Sequence, residues 1–155
     1  MKTIDSYITE KLKINKDIIA KQYNYHPKDK YELRSIIKKL LDERGQDADL
    51  NDIDVSNVTD MSFIFSDLKI HNIDISQWNV SNVENMFCMF FDCTNFNCDL
   101  SDWNVSKVEN MISMFDCCRK FDSDLSNWDV SNVNDMKDMF AHCDSLKNIP
   151  SWYHE

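Results

Sequence analysis

The chain has 155 residues and carries 17 Lys and Arg against 27 Asp and Glu, a formal net charge of −10. That length suits one domain or one short repeat array, and the acidic balance argues against tracking nucleic-acid phosphates or docking on an anionic membrane surface. The single glycine, Gly45, excludes a G-x-G-x-x-G dinucleotide turn, a P-loop and a G-x-S-x-G nucleophile elbow, because each needs at least two.

The N-terminal stretch opens Met1-Lys2-Thr3-Ile4-Asp5, and charges interrupt every apolar run that follows. No secretory h-region and no membrane span can be read from it, so the expectation is an intracellular location without membrane insertion. A weak helix is expected over Ile4–Tyr23, open to breaking at Asn15-Lys16-Asp17. A better one follows. Asp29 followed by Glu32 has the spacing of a capping box, with Pro27 just upstream. Leu33, Ile36, Ile37, Leu40 and Leu41 fall on one helical face, and Gly45 suits the position just past a helix end. Residues 1–48 are mildly basic, whereas the rest of the chain is strongly acidic. They are expected to form an N-terminal helical cap on residues 49–155; the alternative is a basic contact arm.

From Leu50 onward the sequence repeats. Trp78, Trp103 and Trp128 are 25 residues apart, and each opens a matching run: W-N-V-S-N-V-E-N-M-F-C-M-F, W-N-V-S-K-V-E-N-M-I-S-M-F and W-D-V-S-N-V-N-D-M-K-D-M-F. A fourth copy, I-D-V-S-N-V-T-D-M-S-F-I-F, starts at Ile53. Apolar residues hold fixed columns, among them Leu50/Ile75/Leu100/Leu125, Val55/Val80/Val105/Val130, Phe65/Phe90/Phe115/Phe140 and Leu68/Cys93/Cys118/Cys143. A fixed apolar column at a fixed period is economically explained by stacking. The expected fold class is therefore α/β, a leucine-rich-repeat-like solenoid of four 25-residue repeats behind the helical cap. Asp99–Val105 and its equivalents are read as short strands, and each M-x-x-M-F segment as one or two helical turns. Asn and Asp are expected to supply the turns that glycine usually supplies.

The W-[ND]-V-S-N-V-x-x-M-x-x-M-F-x-x-C unit resembles the BspA-like family of bacterial leucine-rich-repeat surface proteins over roughly residues 30–152. The resemblance implies a repeat scaffold, often on the cell surface, used in adhesion and protein–protein contacts.

Candidate chemistry is sparse. The Cys93/Cys118/Cys143 column reads as a small buried slot, since Leu68 shares it, with a disulfide between neighbours as the alternative. No C-x-x-C is present, and His142-Cys143 alone is not a zinc site. Asp47, Asp49 and Asn51 start like a calcium loop, but Asp52 stands where that loop needs Gly and Val58 where it needs Glu. Stacked acids such as Asp74/Asp99/Asp124 read as a solvated edge. Serines recur in every repeat, whereas catalysis needs one distinct site, so no enzyme, cofactor or metal is expected. The tryptophan column reads either as core, in line with Ile53, or as an exposed aromatic stripe; the core reading is preferred. On either side of it, Asp52, Asp54, Gln77, Asn79, Asp102, Asn104, Asn127 and Asp129 are expected to face outward as a polar, acidic strip. That strip is the candidate binding surface for a basic or polar protein partner, with self-association through the ends of the array as a further possibility.

Overall fold

The computed structural model describes residues 23–154. The weak helix expected over Ile4–Tyr23 lies almost wholly outside them. Its regular element is α1, Lys30–Arg44. The carboxylate of Asp29 accepts from the N–H groups of Tyr31 and Glu32 at 2.9 Å each, satisfying two of the donors a helix start leaves open. Glu32 reaches back to the Lys28 N–H at 2.9 Å. The box therefore closes one residue earlier than its usual form. At the other end Gly45 takes φ 89° and donates its N–H to the Leu41 carbonyl, the left-handed stop expected of it. Leu33, Ile37, Leu40 and Leu41 are buried and Ile36 is partly so.

Three cations of α1 fasten it to the first repeat. Lys30 Nζ bonds Asp60 at 2.6 Å and Ser62 at 2.8 Å. Arg34 donates to the carbonyls of Phe63 and Ser66. Arg44 takes both oxygens of Asp52 at 2.9 Å. Just before the helix, Tyr25 pairs in parallel with Ile53, and the Asp54 N–H donates to the Tyr25 carbonyl at 2.8 Å.

The α/β leucine-rich-repeat-like solenoid with a helical cap is overturned. Among the described residues there is one α-helix, which lies outside the repeats, and no strand or sheet; the bridges are isolated, four of them between residues 25 apart and one from Tyr25 to Ile53. The segments read as strands are turns. Asp99 Oδ1 accepts the Ser101 N–H and Asn104 Oδ1 the Ser106 N–H, and these side-chain-closed turns bend the chain every five residues. The M-x-x-M-F segments are turns as well. Each contains one residue at positive φ, at Phe63/Cys88/Ser113/Asp138, and a second follows two residues past its Phe, at Asp67/Asp92/Cys117/His142; a left-handed residue ends any right-handed helix. Nor does Asn supply these positions: only Asp67, Asp92 and Asp138 among the eight are of the Asn/Asp type that favours them.

The backbone donors freed by those turns find partners far along the chain. Met61, Phe63, Phe65 and Asp67 donate to the carbonyls of Asn85, Phe87, Met89 and Phe91 at 2.8–3.4 Å, and the same four bonds recur from Met86 and from Met111. Side chains 25 apart accordingly meet. Phe65, Phe90, Phe115 and Phe140 stack at 5.1, 5.4 and 5.8 Å with their planes within 5° of parallel. The buried cluster runs without a break from Leu33 of α1 to Phe140.

Candidate functional site

The tryptophan column is core. Trp78, Trp103 and Trp128 are at most 5% exposed. Each indole N–H donates to a carbonyl one repeat back: Trp78 to Leu50, Trp103 to Ile75 and Trp128 to Leu100, at 2.9–3.1 Å. A buried indole needs such a partner. Trp152 makes the same bond to Leu125. The column fixes the polar residues on either side of it, which is where the candidate strip lies.

The strip divides in two. In the first repeat Asp52 and Asp54 are covered by the segment that precedes it. Besides Arg44, Asp52 takes a bond from Asn24 Nδ2 at 2.8 Å. Asp54 accepts from the N–H and hydroxyl of Ser56 and faces His26 Nδ1 at 3.4 Å. These two are therefore held by contacts within the chain and are only partly exposed, unlike the outward position expected of them. Gln77, Asn79, Asp102, Asn104, Asn127 and Asp129 in the following repeats are exposed. Three of them also hold their own turns: Asn79, Asn104 and Asp129 accept the N–H of Ser81, Ser106 and Ser131. The Ser131 bonds lower the pKa of Asp129, so its charge is secure at neutral pH. The exposed strip thus carries two carboxylates, Asp102 and Asp129, among amides.

The Arg44 guanidinium beside Asp52 outweighs burial and holds its carboxyl down at about 2, against an ordinary 3.8. A carboxyl whose pKa falls on folding stabilises the fold fully above its unfolded value. That contribution is lost as pH drops through 3.8 towards about 2. Replacing Asp52 by Asn is expected to remove about 1–2 kcal/mol of stability at neutral pH and to flatten the acid limb of the stability–pH curve. Urea titrations at pH 7 and in the acid range measure both; parallel acid limbs in the two proteins would reject the ion pair as the cause.

The repeated acids and cysteines have structural duties. Asp74, Asp99 and Asp124 each accept from the serine two residues on, so they close turns instead of forming a cation cage. Cys93, Cys118 and Cys143 are free thiols that donate to the carbonyls of Phe65, Phe90 and Phe115 at 3.1–3.2 Å. Burial pushes all three thiols up, Cys143 to about 12. Neutral buried thiols are poor nucleophiles.

One group escaped the sequence reading. Asp116, Cys117 and His142 bring a carboxylate oxygen, a thiol and an imidazole nitrogen within 4.8 Å of one another. Its signal in the sequence is the 25-residue column Asp67/Asp92/Cys117/His142, which is polar and so lies outside the apolar pattern.

No helix among the described residues is long and apolar enough to cross a membrane. Residues 33–152 match the family model described as Mycoplasma protein of unknown function, DUF285. No curated protein and no solved structure matches the chain.

Proposed function

We propose, from the premise that this chain belongs to the DUF285 family, that it is a non-enzymatic protein-binding module of the kind found in BspA-like surface proteins. The observation that carries the reading is the exposed strip of Gln77, Asn79, Asp102, Asn104, Asn127 and Asp129, mounted at regular intervals over the buried tryptophans. Side chains held by their own turns and by a packed column lose little freedom when a partner arrives, which lowers the cost of association. Two carboxylates among amides, on a chain of net charge −10, favour a partner with a basic or amide-rich face and speed its approach. Adhesion at a cell surface is the setting the family resemblance suggests. The well that reaches the strip at Asn127 is open and lined mostly by Asn, Asp and Ser, so the recognition proposed is of a protein face, not of an enclosed small molecule.

The test must spare the turns. Asp102→Lys reverses one charge without removing a turn acceptor. Asp129→Asn removes the other charge and keeps the acceptor, as Asn79 and Asn104 do in the same column. The double variant is expected to keep the wild-type melting temperature. Its capture of binding proteins, immobilised beside the wild type, is expected to fall at least tenfold and to lose its salt dependence. Equal capture by a correctly folded variant would reject the strip as the binding surface.

A further inference from the structure

We propose that Asp116, Cys117 and His142 form a binding site for a divalent transition-metal ion of the zinc class. The three donors come from adjoining repeats, two from neighbouring positions of one and the third from the equivalent position of the next. Cys117 and His142 are 25 residues apart and both lie at positive φ, 64° and 57°. A backbone hydrogen bond of 2.9 Å from Cys117 N–H to the Ala141 carbonyl locks the two repeats together beside the donors. On the far side, the Asp116 carbonyl accepts from the Asp92 N–H at 3.0 Å. The site is thus mounted on a hydrogen-bonded frame rather than on a loose loop.

The donor atoms are near the required geometry. Asp116 Oδ1 lies 3.1 Å from His142 Nδ1, and all three donor atoms fall within 4.8 Å of one another. Around a tetrahedral zinc with N and O ligands at about 2.0–2.1 Å and sulfur at about 2.3 Å, neighbouring ligand atoms are about 3.3–3.7 Å apart. Side-chain rotations that move a donor by at most about 1–1.5 Å close the difference, and His142 is exposed enough to make one. The chemistry of the set selects the ion. Thiolate and imidazole favour zinc and its neighbours over calcium or magnesium, which demand oxygen ligands. One carboxylate and one thiolate neutralise a dication, and an acidic chain concentrates cations near it. Three protein ligands leave a fourth position for water or for a group from a partner. The site makes no use of the Gln77–Asp129 strip, and its test is independent of that reading.

The experiment uses the untagged, reduced full chain titrated with zinc in competition with a chromophoric chelator, and separately with cobalt(II). One equivalent of zinc per chain is expected, together with thiolate-to-cobalt charge-transfer absorption in the near ultraviolet. Cys117→Ser and His142→Asn are expected to weaken zinc at least tenfold, as loss of a ligand should, while His71→Ala and Cys98→Ala leave it unchanged. Cobalt absorption is expected to vanish in Cys117→Ser. Absence of the thiolate band in the wild-type protein overturns the proposal whatever the variants do. Equal zinc affinity in Cys117→Ser and the wild type, with matching tryptophan fluorescence, also overturns it.

Discussion

Replacing Trp103 by alanine is expected to destabilise the protein by about 3–5 kcal/mol. The ring is 4% exposed. It lies parallel to Trp78 at 6.5 Å and packs against Phe90 at the same separation. Alanine leaves a cavity lined by Trp78 and Phe90, on backbone held by long-range hydrogen bonds, so collapse into the void is resisted. It also leaves the Ile75 carbonyl without its indole donor. Trp103→Phe separates the two effects. It keeps most of the packing and loses the donor, and is expected to cost about 1–3 kcal/mol. Urea unfolding should show a lower midpoint at unchanged slope for both variants. A Trp103→Ala protein within about 0.5 kcal/mol of the wild type would behave as a surface substitution does, and would return the tryptophans to the surface.

Ile37→Ala is expected to cost about 2–5 kcal/mol and to shift two probes together. Ile37 is fully buried on α1, in the same cluster as Leu50, Ile53 and Phe65. The four tryptophans all lie in the repeats, at 78, 103, 128 and 152, so their fluorescence reports on that part of the chain. Far-UV circular dichroism reports on α1, the one helix among the described residues. A shared core and the Lys30, Arg34 and Arg44 contacts predict coincident transitions at a lower denaturant concentration. If Ile37→Ala moves the dichroism transition and leaves the fluorescence transition in place, helix and repeats unfold as separate units.

The candidate strip shows how far a pattern reaches. Alternation around Ile53, Trp78, Trp103 and Trp128 placed polar neighbours outside, and those of the later repeats are exposed. The same pattern places Asp52 and Asp54 identically, yet both are only partly exposed. Their partners, Asn24, His26 and Arg44, sit outside the repeat and have no counterpart in its period. Periodicity describes what all copies share, so it is blind to what is specific to the first. The Asp116, Cys117 and His142 group was invisible for a related reason. Local ligand spacing carries no sign of it, because two of these donors meet only where residues 25 apart lie side by side.

The sequence by itself determined most of the buried side chains and where α1 begins and ends, although Leu68, Val130, Val133, Met136, Cys143 and Leu146 of the same columns are only partly buried. Leu50, Val80, Phe115 and Cys118 are apolar at a fixed period, and water excludes such groups whatever the backbone does between them. Asp29 and Gly45 act on their immediate neighbours, so their effect is local and readable. Tertiary structure alone decided the backbone itself. The M-x-x-M-F spacing fits a helical turn, but the N–H groups of Met86, Cys88 and Phe90 donate to carbonyls 24 residues further on. With donors committed across the chain and Cys88 and Asp92 in the left-handed region, the i to i−4 bonds of a helix cannot form. Apolar spacing records burial; it does not record which distant carbonyl a backbone donor will find.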